Sequence, residues 1–362
     1  MTSDNLDLDL TTWLDSVAPS RAPDDLLPMA LDRTARVRQR PSWLVAERWT
    51  TMQSTIATTR APRRAFAVLI VALIALAIVA AVLIDGVGRP AAPPRLAIAY
   101  TAGSGASAHV EAITATGTDS TQLVGAPASS SGWTPNGLRL LFVGSRGSNG
   151  EIYSMDPDGS HQTLLTKTAP HNSGAAVMSP DGLRIAYHVD TTDSGCYETF
   201  VMDADGTNSK QITQDGDCNW APSWSHDSSR LFFGTTRDGN FDVYSMAPDG
   251  SYQTRLTSHG ATNDAFPVVS PDGTKIAFTS WDGALDGTSA EVWVMNVDGT
   301  ERHQLTNNQN DDSFPAWSPD SKQLVFQSKR DGNFEIYTMN VDGTGVTRLT
   351  NTPTDETGPS WR

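Results

Sequence analysis

The chain has 362 residues, with 41 acidic side chains against 26 basic ones and a formal net charge of −15. That length accommodates more than one domain, and so acidic a chain excludes the phosphate backbone of nucleic acid as a partner. The charge is unevenly spread: residues 1–85 hold nine basic and nine acidic residues, the remainder 17 basic and 32 acidic, which implies two compartments for one chain.

Residues 1–32 carry seven acids and one Arg, with Leu6, Leu10, Trp13, Leu14 and Val17 at helical spacing. Pro23 followed by Asp24 and Asp25 reads as a second helix start, since Pro fits a first helical turn and acids suit its dipole. Residues 33–64 reverse the charge, with eight Arg and one Glu. A partly helical tail over residues 1–64 is expected. Residues 65–84 then run for 20 positions without a charged or polar group, 13 of them Phe, Val, Leu or Ile. At ~1.5 Å per residue this crosses a hydrocarbon core of ~30 Å. Insertion is favoured by roughly 4 to 8 kcal/mol on a per-residue scale. A signal peptide starting at Met52 is the competing reading, but the apolar run is long for one. The Arg residues precede the span, so the N-terminus is expected in the cytosol and the rest outside. Gly86, Gly88, Pro90, Pro93 and Pro94 mark residues 85–94 as a short stalk.

The remainder, residues 95–362, is repetitive. The clearest copy is residues 314–350: an inner strand at 315–317, a Ser-Pro-Asp turn, a second strand at 324–327, a third at 334–339, then an Asp-Gly turn and a short outer strand. Asp-Gly suits turns because Gly accepts φ > 0 and Asp bonds nearby amides. The Gly after the third strand recurs at Gly117, Gly159, Gly206, Gly250, Gly299 and Gly343, with gaps of 42, 47, 44, 49 and 44 residues. Met155, Met202, Met246, Met295 and Met339 precede five of these turns and are assigned to packing between units. The second strand recurs at Leu96, Leu140, Ile185, Leu231, Ile276 and Leu324. A period of this length with four short strands per copy makes an all-β, six-bladed propeller. The first copy lacks an inner strand, and the end of the chain, Gly358-Pro359-Ser360-Trp361, matches the inner strand Ala221-Pro222-Ser223-Trp224. The C-terminal strand should therefore close the ring.

Ser179-Pro180-Asp181-Gly182, Ser270-Pro271-Asp272-Gly273 and the Met-x-x-Asp-Gly turns resemble the WD40-like β-propeller repeats of the TolB type. The resemblance covers residues 95–362 and implies the fold. It does not imply a place in the Tol-Pal envelope system, because residues 1–94 do not resemble the α/β domain that precedes the TolB propeller. The tail, through Trp13-Leu14-Asp15, Ala22-Pro23-Asp24 and residues 39–44, resembles cytosolic tails of bacterial anti-sigma-like and sensor-like membrane proteins, without their His-x3-Cys-x2-Cys zinc motif.

Six residues before each inner-turn Ser stand Ala128, Ser173, Asn219, Asp264, Asp312 and, in the closing strand, Glu356. The neighbouring position gives Pro127, Asn172, Cys218, Asn263, Asp311 and Asp355. Asp264, Asp311, Asp312, Asp355 and Glu356 would make half of the channel mouth acidic, a site for a hard cation such as calcium or for a cationic group of a partner. The competing reading is turn caps that satisfy local amides. No other cofactor is expected. Cys196 and Cys218, the only cysteines, map to adjacent positions on one face, and a disulfide between them is expected outside the membrane. No Gly-x-Ser-x-Gly occurs, so serine hydrolysis is not expected. His109, His171, His188 and His259 are scattered along the chain. The reading is a membrane-anchored, non-catalytic module that binds an envelope protein, peptide or glycan and relays to a cytosolic regulator at residues 1–64. The alternative is a metal-dependent enzyme acting on glycans or peptides, through His171 or His259, at the outer propeller face.

Overall fold

A computed structural model describes residues 96–145, 149–168, 171–192, 194–258, 260, 262–283 and 290–362, all within the compact unit Ala91–Arg362. The expected tail, transmembrane helix and stalk lie outside the described residues. Among the described residues no helix is long and apolar enough to cross a membrane.

The described strands form six antiparallel four-stranded sheets. Blade 2 is Ala128–Trp133, Leu140–Ser145, Gly150–Met155 and Thr163–Leu164, from the channel outward, and blades 3 to 6 repeat that order. Blade 1 takes its inner strand from the C-terminus: Glu356–Trp361 pairs with Ile98–Ala102, with Ile98 opposite Trp361 and Ala102 opposite Glu356. The closure expected from the chain ends is thus present. One register differs from the sequence reading. Trp133 lies opposite Leu140 and Trp224 opposite Leu231, but Trp361 lies opposite Ile98. The blade 1 counterpart of Leu140 is therefore Ile98, not Leu96. The apolar run Leu96 to Tyr100 offers two apolar frames of the same period, and pairing with the closing strand selects between them.

Strand alternation puts successive side chains into opposite seams. Phe232 packs with Val243, Ile276, Phe278 and Met295 of the blade 4 to 5 seam, while its neighbour Phe233 packs with Ala186, Val201 and Ile212 of blade 3. Similar clusters fill the other seams, including the closing one, where Ile98 and Tyr100 meet Val325 and Ile336. The core is thus a set of seams rather than one interior. The repeated methionines lie in these seams, each buried, as Met155 is against Val110 and Leu123 of blade 1. The repeated glycine serves the seams too. Gly159 and Gly250 have φ of 83° and 89°, and a Cβ on either would stand 2.4 and 2.3 Å from the Leu123 and Ile212 carbonyl oxygens of the preceding blade. Only glycine permits both the left-handed backbone and that approach.

Candidate functional site

Asp312 and Glu356 start their inner strands, Asp311 and Asp355 immediately precede them, and Asp264 is the third residue of Thr262–Val269, but none of the five is among the residues that line the channel. Asp264 and Asp312 are fully buried, and Glu356 nearly so. Asp264 accepts two hydrogen bonds from the Arg302 guanidinium, each 2.9 Å. Asp312 accepts from Arg330 at 2.9 Å and from the Asn308 amide at 2.5 Å. Asp355 accepts the Phe334 amide of blade 6 at 2.9 Å, as Asn263 accepts that of Phe241. Asp311 is buried, and its carbonyl accepts the Lys329 amide. Where the sequence reading expects an acidic mouth, Asp264 and Asp312 are held by arginines of their own blades, Arg302 in blade 5 and Arg330 in blade 6, and only Asp355 reaches an amide of the neighbouring blade. The backbone amides of Asp264 and Glu356 are bonded to the preceding blade, Asp264 to the Phe241 carbonyl and Glu356 to that of Phe334, both 2.8 Å or closer.

A second set of acids went unread in the sequence. Glu151, Glu198, Asp242, Glu291 and Glu335 each stand four residues before a repeat methionine, at the start of the third strand. Fifteen residues later comes a Thr, and each of these accepts a third-strand amide, as Thr166 does from Ile152 and Thr257 from Val243. The Thr hydroxyl donates to the acid, 2.5 Å for Thr166 to Glu151 and for Thr213 to Glu198. The signal was the paired spacing of acid, Met and Leu-Thr. The acids meet the next blade's first inner-strand residue. At the closing seam both residues are Glu: burial raises Glu356 to about 7, with the Glu335 carboxylate adding to the effect. Glu335, against the upward pull of burial, is held low by hydrogen bonds from Thr350, Glu356 and the Thr352 amide and by Arg348.

Cys196 and Cys218 are joined by a disulfide, with their Cα atoms 4.4 Å apart, tying a blade 3 loop to the start of blade 4. The histidines do not converge. His109 pairs with Glu111 in blade 1, His171 lies in the connection to blade 3, and His188 stands at the channel wall. His259 lies outside the described residues. Among the described residues no three His, Cys, Asp or Glu are grouped to hold a metal ion.

What the inner strands do enclose is a channel of about 940 Å³. Each inner strand carries a register shift near its middle. There Ala175, Ala221, Phe266 and Phe314 adopt φ of 43°, 48°, 54° and 54°, and the closing strand has Gly358 at 57°. A bulge with a left-handed residue turns that side chain out of the ladder. A bulky residue in this region is strained by roughly 1 kcal/mol or more. Phe266 and Phe314 stack with centroids 4.1 Å apart, and Trp220 lies 5.6 Å from Phe266. All three line the channel. Blades 4 to 6 thus supply an aromatic wall. At the same position blades 1 to 3 hold Gly358, Ser130 and Ala175, and a Cβ on Gly358 would meet nothing within 4 Å. His188 stacks on Tyr197 at 4.0 Å, and burial pulls its imidazole down to about 3, so it is neutral.

A closed ring of six such blades around an open channel defines a β-propeller. The chain matches the TolB beta propeller domain at residues 167–313 and 265–362, and it belongs to that family. An uncharacterized protein of Agrobacterium fabrum is 31% identical over 198 residues, 54% of this chain and 64% of that protein. A TolB homologue of Chlorobium luteolum is 33% identical over 144 residues, 40% of this chain and 32% of the other. The chain thus spans less than two thirds of the length of either relative. The crystal structure of TolB from Acinetobacter baumannii superposes with a TM-score of 0.64 at 21% identity, over 73% of this chain and 66% of that one, a likeness of fold.

Proposed function

We propose that the chain is a membrane-anchored, non-catalytic binding module whose propeller stands outside the membrane and takes its ligand in the central channel. The observation that carries the reading is the aromatic wall of Trp220, Phe266 and Phe314 facing a side of small residues, with two phenylalanines held at positive φ. Bulky residues held at positive φ beside a cavity of this size support binding over packing. The apolar run at residues 65–84 supports the anchor, and the Arg-rich stretch before it supports a cytosolic N-terminus. Residues 1–64 would then engage a cytosolic regulator.

The channel assignment is tested by native mass spectrometry of the full-length chain extracted from its own membranes, beside an Ala221→Phe variant. Phe is accommodated at this backbone position in two other blades, so the variant fills the channel without a new fold. Wild type should carry a bound mass that the variant lacks. Identical spectra, both free of adduct, would contradict the assignment.

A further inference from the structure

Resting on the channel reading, we infer that the ligand is a short uncharged saccharide, lying between the aromatic wall and the polar groups of blades 1 to 3. Six residues lining the channel carry a buried polar atom with no hydrogen-bond partner inside the protein: Ser130 Oγ, Ser131 Oγ, Trp133 Nε1, His188 Nδ1, Trp220 Nε1 and Ser360 Oγ. The repeat supplies its own controls. Trp224 and Trp317, the counterparts of Trp133, donate Nε1 to the Val177 and Val268 carbonyls at 3.1 and 2.9 Å. Ser223, the counterpart of Ser360, accepts the Val269 amide at 3.2 Å. Thr279 and Gln327, at the position of His188, each accept the amide of the next blade's bulge residue, Phe314 and Gly358. So three of the six positions, those of Trp133, Ser360 and His188, are satisfied elsewhere in the ring and unsatisfied here, while Ser130 and Ser131 stand where the other blades hold Ala, Phe, Pro or Gly. Five of the six orphans belong to blades 1 to 3, the side where the bulge residues are small and space is open.

An unmet buried donor or acceptor costs roughly 1 to 3 kcal/mol. The hydroxyls of Ser130, Ser131 and Ser360, which rotate freely about their Cβ–Oγ bonds, are the ones that can turn to a partner in the channel. The orphans are hydroxyls, indole N–H groups and a neutral imidazole. Among the described residues no Asp or Glu lines the channel. The Arg362 guanidinium is already engaged, donating to the Gly137 carbonyl at 2.9 Å and lying 4.4 Å over the Trp133 ring. The chemistry that meets uncharged hydroxyl and N–H groups on one side and aromatic faces on the other is a polyhydroxylated ring. Its hydroxyls bond the wall of blades 1 to 3, the serine hydroxyls turning to meet them. Its C–H face packs on the electron-rich rings of Trp220, Phe266 and Phe314. A purely aromatic ligand would leave the orphans unmet, and an anionic sugar would need a free cation.

The test is calorimetric titration of the full-length chain with maltose, cellobiose and diacetylchitobiose, with glucuronate and indole as contrasting probes. Three variants accompany it: Ala221→Phe, the triple Ser130→Ala, Ser131→Ala, Ser360→Ala, and Gly239→Ala as a surface control. The inference predicts binding of at least one neutral disaccharide at millimolar concentration or better. That binding should be lost in Ala221→Phe, weakened about tenfold or more in the serine triple and unchanged in the control. Binding of indole or glucuronate alone, lost in Ala221→Phe, would overturn the saccharide assignment and leave the channel reading standing. Absence of any heat that depends on Ala221→Phe would overturn both.

Discussion

At position 250 a Cβ would stand 2.3 Å from the Ile212 carbonyl oxygen, with φ at 89°; at Gly239, φ is 102° but nothing lies within 4 Å. Gly250→Ala therefore combines strain with a clash across a seam, whereas Gly239→Ala carries strain alone. Chemical denaturation should give a loss of about 3 kcal/mol or more for the first and about 1 to 2 for the second. Equal losses would show that the approach of the outer strand carries no weight. The closing seam sets a pH dependence at the same scale. Glu356 has its folded pKa raised to about 7, so its contribution to stability is complete below the ordinary Glu range and is lost as pH rises through about 7. Glu335, lowered by its partners, contributes in the opposite sense, and its share is lost only as pH falls below the ordinary range. Between pH 5 and 8 the Glu356 effect is opposed by His188, whose buried imidazole, lowered to about 3, costs stability as pH falls below the ordinary His range. Glu356→Gln keeps a donor for Glu335 and cannot ionise. Relative to wild type it should gain about 2 kcal/mol of stability between pH 5 and pH 8, a difference between the two profiles that the His188 contribution leaves untouched. An unchanged pH profile would place the titration elsewhere. Neither the Asp-Gly turn nor the final Glu announces these roles by itself. The glycine's periodicity was legible, while its contact partner lies in the preceding blade and so appears only once the ring is closed.

The elements were legible to different depths. Five blades could be counted from the third-strand methionine and all six from the turn glycine, because the same local turn chemistry is repeated. The closing strand was legible because Gly358-Pro359-Ser360-Trp361 repeats an inner-strand pattern. Its register was not, since Leu96 and Ile98 have the same parity and both suit an inward face. By sequence alone the acids at the inner-strand starts suit a channel mouth. Their pairing arginines, Arg302 and Arg330, are remote enough in sequence that no local rule connects them. Two predictions belong here. Truncation after Asp355 removes Glu356–Trp361 and exposes the edge of Ile98–Ala102. Unpaired edges promote association, so the truncated chain should lose its cooperative melt and aggregate, seen by circular dichroism and light scattering; an unchanged melt would refute closure by this strand. The Cys196–Cys218 bridge spans 22 residues, and closing such a loop restricts the unfolded chain by about 3 kcal/mol. Unfolding with and without reductant should differ by that order. No difference would leave the bridge without a stabilising role.

For the whole molecule, the acidic propeller and the charge-balanced first 85 residues fit a chain divided by a membrane. Alkylation of engineered cysteines in intact cells should label an exposed site on the propeller, such as Tyr252→Cys, and spare one in the tail. Labelling of both or neither would reverse that arrangement. The channel was beyond the sequence, because the bulge that turns Phe266 and Phe314 inward is a property of backbone register rather than of alternation. Read by strand period alone, an aromatic in an inner strand is a core residue. Whether these two serve packing or binding is the central question, and unfolding free energies answer it most directly. Phe266→Gly and Phe314→Gly relieve the left-handed strain while removing half-buried rings. If the rings are there to bind, each change should alter stability by less than about 1 kcal/mol, strain relief offsetting lost burial. Phe278→Ala, fully buried in a seam, should cost about 3 to 5 kcal/mol. Losses at positions 266 and 314 as large as that at 278 would contradict the account and make the channel wall part of the core.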